Sequence, residues 1–227
     1  PATGAVMPPI YQSSTYVQSA PGEHLGFEYS RSKNPTRLAF ESCMASLEGG
    51  SRGFAFASGM AATATLLELV DHGEHVVVMA DIYGGSYRLF EQVRKRSAGI
   101  EFDFVDMLDI ENLKAAIKPN TKMIWLETPS NPMLKLVDLK AVAQVAKDYG
   151  VITVADNTFA TPYNQRPLEF GIDIVMHSST KYINGHSDMV GGVAVVGDNI
   201  NLAEQLAFLQ KSIGAIAGPF DCYLALR

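Results

Sequence analysis

The feature that most constrains this chain is an alternation. Short, almost wholly apolar runs are separated by amphipathic stretches of helical length. The apolar runs fall at residues 54–56, 75–80 (HVVVMA), 100–105, 122–126 (KMIWL), 151–155 (VITVA), 172–176 and 192–196. Helical periodicity marks residues 35–48, 60–69, 86–96, 110–117, 139–149 and 202–213. Strands without polar alternation are buried on both faces. Alternation with helices therefore predicts an α/β fold, with a mostly parallel central sheet covered on both sides. The first helix opens at Asn34-Pro35-Thr36, takes Leu38, Phe40, Met44 and Leu47 as core contacts, and stops at Gly49-Gly50.

Residues 1–34 are rich in Pro, Ser, Tyr and Gly and lack a steady period. They read as an extended arm, followed by one large domain over 35–227. The chain starts at Pro1 and stops at Arg227 directly after an apolar stretch. The expectation is a longer polypeptide of which this is a part.

Composition narrows the function. With 47% hydrophobic and 19% charged residues and a net charge of −6, the chain is globular and acidic. Its longest basic run is Arg94-Lys95-Arg96, read as the solvated last turn of a helix, so nucleic acid is not expected as a partner. Cys43 and Cys222 offer neither a disulfide framework nor metal spacing, and a reducing cytoplasm is expected. No apolar run is long enough to cross a bilayer. His72 and His75 read as turn residues, and no histidine has the spacing of a metal or nucleophile partner.

In sheets of this kind, ligands gather at the carboxyl ends of the strands. Five such ends carry chemistry. Ser58-Gly59-Met60 opens a helix, where unpaired N–H groups suit a phosphate. Tyr83-Gly84-Gly85 offers an aromatic ring for a planar ligand. Asn131, in the loop Glu127-Thr128-Pro129-Ser130-Asn131-Pro132, offers an amide. Asp156 ends a buried run, where a carboxylate needs a partner; a protonated pyridine nitrogen is one. Ser178-Ser179-Thr180-Lys181 joins hydroxyls to an amine able to form a Schiff base. Each has a plainer local reading: an N-cap Ser58, a packed Tyr83, a turn at Asn131-Pro132, a turn Asp156, a surface Lys181. Together they are what pyridoxal 5'-phosphate (PLP) requires of a protein.

Tyr29-Ser30-Arg31-x-x-Asn34-Pro35-Thr36, Ser58-Gly59-Met60, Tyr83-Gly84-Gly85, Glu127-Thr128-Pro129-x-Asn131-Pro132, Asp156-Asn157-Thr158 and Ser178-x-Thr180-Lys181-Tyr182-x-Asn184-Gly185-His186-x-Asp188 run through nearly the whole chain. This set resembles the Cys/Met-metabolism PLP enzymes, a family of cystathionine γ-synthases, γ-lyases and β-lyases, methionine γ-lyases and homoserine-ester sulfhydrylases. The resemblance implies the aspartate-aminotransferase-like type I fold with a smaller C-terminal domain beyond this chain. It implies that Lys181 forms the Schiff base to PLP, that Gly59, Met60, Ser178 and Thr180 hold the phosphate, and that Ser58 belongs to the same cofactor site. Asp156 would pair with the ring nitrogen, Thr158 would lie close to the ring, Tyr83 would stack on it, and Asn131 would approach its oxygen. Tyr29 and Arg31 would reach the cofactor of a neighbouring subunit, in tetramers built as dimers of active dimers. Lys181, Tyr83 and Asp156 would carry catalysis.

Within the family, methionine γ-lyases carry cysteine at the second position after the stacking tyrosine, where this chain has Gly85. The stretch Tyr-Gly-Gly-Ser-Tyr-Arg-Leu-Phe is most similar to bacterial cystathionine γ-lyases and γ-synthases. The expected reaction is γ-elimination on cystathionine, with release of hydrogen sulfide from cysteine as a side activity. The alternatives are γ-synthase chemistry and a PLP-binding fragment without catalysis.

Overall fold

A computed structural model describes residues 4–227; residues 1–3 of the expected arm lie outside the described residues. In chain order the strands are β1 (Gln18–Ala20), β2 (Glu23–His24), β3 (Arg52–Phe56), β4 (His75–Met79), β5 (Glu101–Val105), β6 (Thr121–Glu127), β7 (Ile152–Asp156), β8 (Ile174–His177) and β9 (Gly192–Val196). The helices are α1 (Pro35–Glu48), α2 (Gly59–Leu66), α3 (Gly84–Arg88), α4 (Lys95–Ser97), α5 (Ile110–Ala116), α6 (Leu139–Tyr149), α7 (Thr161–Asn164), α8 (Ile200–Ile213) and α9 (Pro219–Ala225). A wide π-type turn, Leu89–Arg94, joins α3 to α4 where the sequence predicts one continuous helix.

Seven strands form one sheet in the order β3-β9-β8-β7-β6-β4-β5. The β4·β5, β4·β6, β6·β7 and β7·β8 pairs are parallel. Only β9 runs against the rest, between β3 and β8. Both faces are packed, as the unbroken apolar runs require. Along β9, Ala194 and Val196 join the larger core with Phe54, Phe56 and Leu206, while Val193 and Val195 join a second core with Phe40, Met44 and Cys222. Side chains alternate along a strand, so successive residues of one strand feed two different layers.

The ends of α1 follow its sequence signals. The Asn34 side chain accepts from the N–H groups of Thr36 and Arg37 at 3.0 and 3.1 Å, and Gly49 closes the helix at φ 72°. Its buried face differs from the expected one. Phe40 and Met44 are buried, but Leu38 and Leu47 are 45% and 49% exposed. The stripe that turns inward is Thr36, Arg37, Phe40, Glu41, Met44, Ala45 and Glu48, at helical spacing. Its polar members are partnered. Arg37 donates to the carbonyls of Ser30 and Arg31, and Glu41 accepts from the Ala55 N–H and from Gln210. Apolar counting alone selects the wrong leucines because this interface is partly polar.

Two further expectations change. His75 is a fully buried strand residue between Thr121 and Asp103, not a turn residue. Arg94 is no solvated cation: it pairs with Glu68 at 2.5 Å and donates to the Ala64 carbonyl. The apolar end of the chain forms α9, which buries Cys222 against α1 and β9. The arm carries the small β1–β2 hairpin and is tied to α1 through Thr36 and Asn34, which bond the backbone of residues 9 and 11.

Candidate functional site

The carboxyl ends of β3, β4, β6, β7 and β8 open into one cavity of about 360 Å³. Its lining includes Ser58, Gly59, Met60, Tyr83, Asn131, Asp156, Thr158, Ser178, Thr180 and Lys181. Ten of the twelve residues selected from sequence thus converge, although they come from five separate strand ends. The volume lies in the range of small-ligand sites.

One wall is a cradle. At the start of α2 the Ser58 hydroxyl accepts from the Ala61 N–H at 3.0 Å. The N–H groups of Gly59 and Met60, ahead of it, have no partner within the helix. Gly59 packs so close to β8 that an added Cβ would lie 2.8 Å from the Ser178 Cβ. Only glycine allows that approach. Across from it, Thr180 is pinned by Gly191, which donates its N–H to the threonine hydroxyl at 3.0 Å. The Ser178 N–H donates to the Thr158 hydroxyl at 2.8 Å, joining β8 to the loop after β7. The Ser178 and Thr180 side chains and two open N–H groups around a glycine gap fit a phosphate.

The floor is acidic. Asp156 Oδ1 accepts from the Thr158 N–H at 3.0 Å and from its hydroxyl at 2.5 Å. Oδ2 has no such partner among the described residues. Burial pushes the Asp156 carboxyl above the ordinary range, only partly countered by Thr158. A buried carboxylate with one open oxygen calls for a cationic donor, and a protonated ring nitrogen is one. The residues present therefore fit PLP on both counts, cradle and floor.

Lys181 lies one turn beyond β8; its N–H bonds the Ser178 carbonyl at 3.1 Å and its side chain reaches the cavity. Tyr83, 46% exposed, forms the opposite rim. A Cβ on Gly85 would collide with the Tyr83 ring, so glycine there gives that ring its place.

Sequence reasoning passed over Glu127. It lines the cavity and is paired with Asp156 across β6 and β7. Its Oε2 accepts from the Tyr83 N–H at 2.7 Å. Burial and the Asp156 charge push its carboxyl up to about 8. The available signal was an acidic residue closing an apolar strand, the same sign that marks Asp156. Tyr29 and Arg31 do not join the cavity. Both are exposed on the arm; Arg31 stacks over the Tyr29 ring at 5.3 Å and donates to the Lys211 carbonyl at 2.5 Å.

Comparison with known proteins decides the family. The Cys/Met metabolism PLP-dependent enzymes match over residues 1–227. The chain belongs to that family. It is 66% identical to a cystathionine beta-lyase of Coxiella burnetii, covering 100% of this chain and 59% of that protein. It is 55% identical to a probable cystathionine gamma-synthase of Herpetosiphon aurantiacus, covering 99% and 70%, and 52% identical to a cystathionine gamma-lyase of Bacillus subtilis, covering 99% and 59%. The crystal structure of cystathionine gamma-lyase from Lactobacillus plantarum, complexed with L-serine, superposes with a TM-score of 0.96 at 46% identity, over 99% of this chain and 58% of that one. The chain thus spans about three fifths of most of these relatives. The family, its fold and its cofactor class follow. The relatives divide among β-lyase, γ-lyase and γ-synthase, so likeness leaves the reaction within the family open.

Proposed function

We propose that the full-length protein binds PLP in the cavity at the strand ends and cleaves the carbon–sulfur bond of cystathionine by γ-elimination. Cystathionine and water would give cysteine, 2-oxobutanoate and ammonia. The observation that carries the reading is the convergence of Lys181, Asp156 and the Gly59–Ser178 cradle on one cavity.

Gly59, Met60, Ser178 and Thr180 would hold the phosphate, Asp156 the ring nitrogen, Tyr83 the ring face and Asn131 the ring oxygen. PLP when bound supplies an electron sink for charge developing at the substrate α-carbon. Asp156 keeps the ring nitrogen protonated, which its open Oδ2 and buried setting favour once a cation neutralises it. The free Lys181 amine would move protons between Cα and Cβ as general base and acid. The Tyr83 hydroxyl, at the rim, takes the substrate amine proton and returns one to the leaving sulfur.

A second reading, β-elimination giving homocysteine, pyruvate and ammonia, is favoured by the 66% identity to a β-lyase. Product analysis on the full-length protein separates them. Cystathionine turned into 2-oxobutanoate and cysteine supports the proposal, and pyruvate with homocysteine overturns it in favour of the second reading. Cystathionine formed from cysteine and an O-acylhomoserine, without cleavage, identifies a synthase.

We further propose that residues 1–34 act between subunits of a homotetramer, carrying Tyr29 and Arg31 to a neighbour's cofactor. Their exposure outside their own cavity supports this. We place the protein in the cytoplasm. Its unpaired Cys43 and Cys222 support that placement, and among the described residues no helix is long and apolar enough to cross a membrane.

A further inference from the structure

Glu127 and Asp156 close adjacent parallel strands in register, at the floor of one cavity, and both are buried. Like charges directly opposed on neighbouring strands destabilise a sheet. Neither carboxyl is paired with a cation among the described residues. Their apposition becomes favourable when a positive group occupies the cavity. Glu127 also has a mechanical connection that Asp156 lacks. Its Oε2 holds the Tyr83 backbone N–H at 2.7 Å, where the chain turns from β4 into α3. The carboxylate at the floor is thereby joined to the aromatic rim.

We propose that Glu127 is a positioning residue that couples cation binding at Asp156 to the placement of the Tyr83 ring. With no cation at Asp156 the pair shares a proton. When a positively charged ring nitrogen meets Asp156, Glu127 gives its proton to solvent; only its O–H bond breaks. The resulting carboxylate is a stronger acceptor for the Tyr83 N–H, because charge-assisted hydrogen bonds exceed neutral ones. Asp156 from β7, and Asp81 and Tyr83 from the β4–α3 connection, act on Glu127; Lys181 lines the same cavity and His177 acts on Asp156. Burial and the Asp156 charge, which push Glu127 up to about 8, agree with a proton held at neutral pH. This inference rests on the cofactor reading above.

The test uses the full-length protein stripped of cofactor and pyridoxamine 5'-phosphate as probe. The probe carries an amine, so it forms no Schiff base with Lys181. Calorimetric titration at pH 7 in two buffers of different ionisation enthalpy counts the protons released. Wild type should release about one proton more than Glu127→Gln, the amount linkage assigns to a group moved from about 8 toward its ordinary value. Glu127→Met repeats the measurement should the glutamine variant fail to fold. The second readout is the near-ultraviolet circular dichroism of the bound probe. It should weaken in Glu127→Gln, which keeps only a neutral acceptor for the Tyr83 N–H, and weaken further in Glu127→Met, which has none. Equal proton release by wild type and both variants overturns the charge coupling. An unchanged dichroism in Glu127→Met overturns the link to Tyr83. Failure of wild type to bind the probe overturns the cofactor reading itself, a result distinct from either.

Discussion

At the scale of single residues, the site is built from groups that are costly to bury and become useful together. Lys181 provides the sharpest expectation: Lys181→Ala should abolish turnover and the visible absorbance of bound cofactor while leaving the fold intact. Wild-type turnover in that variant would remove the assignment. Glu127 gives a pH dependence for the cofactor-free protein. The unfolded chain releases this proton near 4.5, whereas the fold retains it up to about 8. Between these values the folded state binds more protons than the unfolded one, so stability should fall as pH rises and level off above 8. Thermal melts of the cofactor-free protein at pH 5.5 and 8 should show this loss, and Glu127→Gln should reduce it. An equal loss in both proteins would mean that other groups dominate.

Element by element, the sheet holds its polar interior through pairs that join α1 to the site. Glu48, the last residue of α1, accepts from His177 Nε2 at 2.5 Å and from Asn157 at 3.1 Å. Both members of the Glu48–His177 pair are fully buried. His177 directly precedes Ser178 and Asn157 directly follows Asp156, so this pair supports two site loops from behind. His177→Ala removes the Nε2 donor to buried Glu48 and should cost about 1–3 kcal/mol in urea unfolding. The double variant Glu48→Met, His177→Leu should cost less than His177→Ala, since it removes both buried polar groups. Additive costs would show that the two residues act independently. Elements themselves were largely legible in the sequence. The Asn34 cap and Gly49 stop bound α1, and all seven strands of the main sheet lie within a few residues of their apolar runs. The partly polar inner face of α1 was not legible, because Arg37, Glu41 and Glu48 find their partners on distant segments.

For the whole molecule, the arm separates what one chain completes from what an assembly would. Tyr29 and Arg31 belong to the family pattern, yet they lie outside the cavity that holds the other ten residues. If Arg31 serves a neighbouring subunit, mixing inactive Arg31→Ala and Lys181→Ala proteins should restore activity. Hybrid dimers would then pair an intact Lys181 with an intact Arg31 in one site. Activity no greater than the sum of the separate variants, with hybrids confirmed by mass, would show that the arm serves its own chain.

The sequence by itself determined the α/β class, the strand ends that carry chemistry, and the kinship to Cys/Met metabolism PLP-dependent enzymes. Each is written in local order: unbroken apolar runs, caps, and residues adjacent to strand termini. Tertiary structure decided which ends meet. The order β3-β9-β8-β7-β6-β4-β5 places β3 beside the reversed β9 and sets β6 against β7. That second pairing opposes Glu127 to Asp156, residues 29 positions apart that no periodicity relates. Strand neighbours are chosen by the packing of both sheet faces at once, so the carboxylate pair and its hold on Tyr83 exist only after the chain has folded.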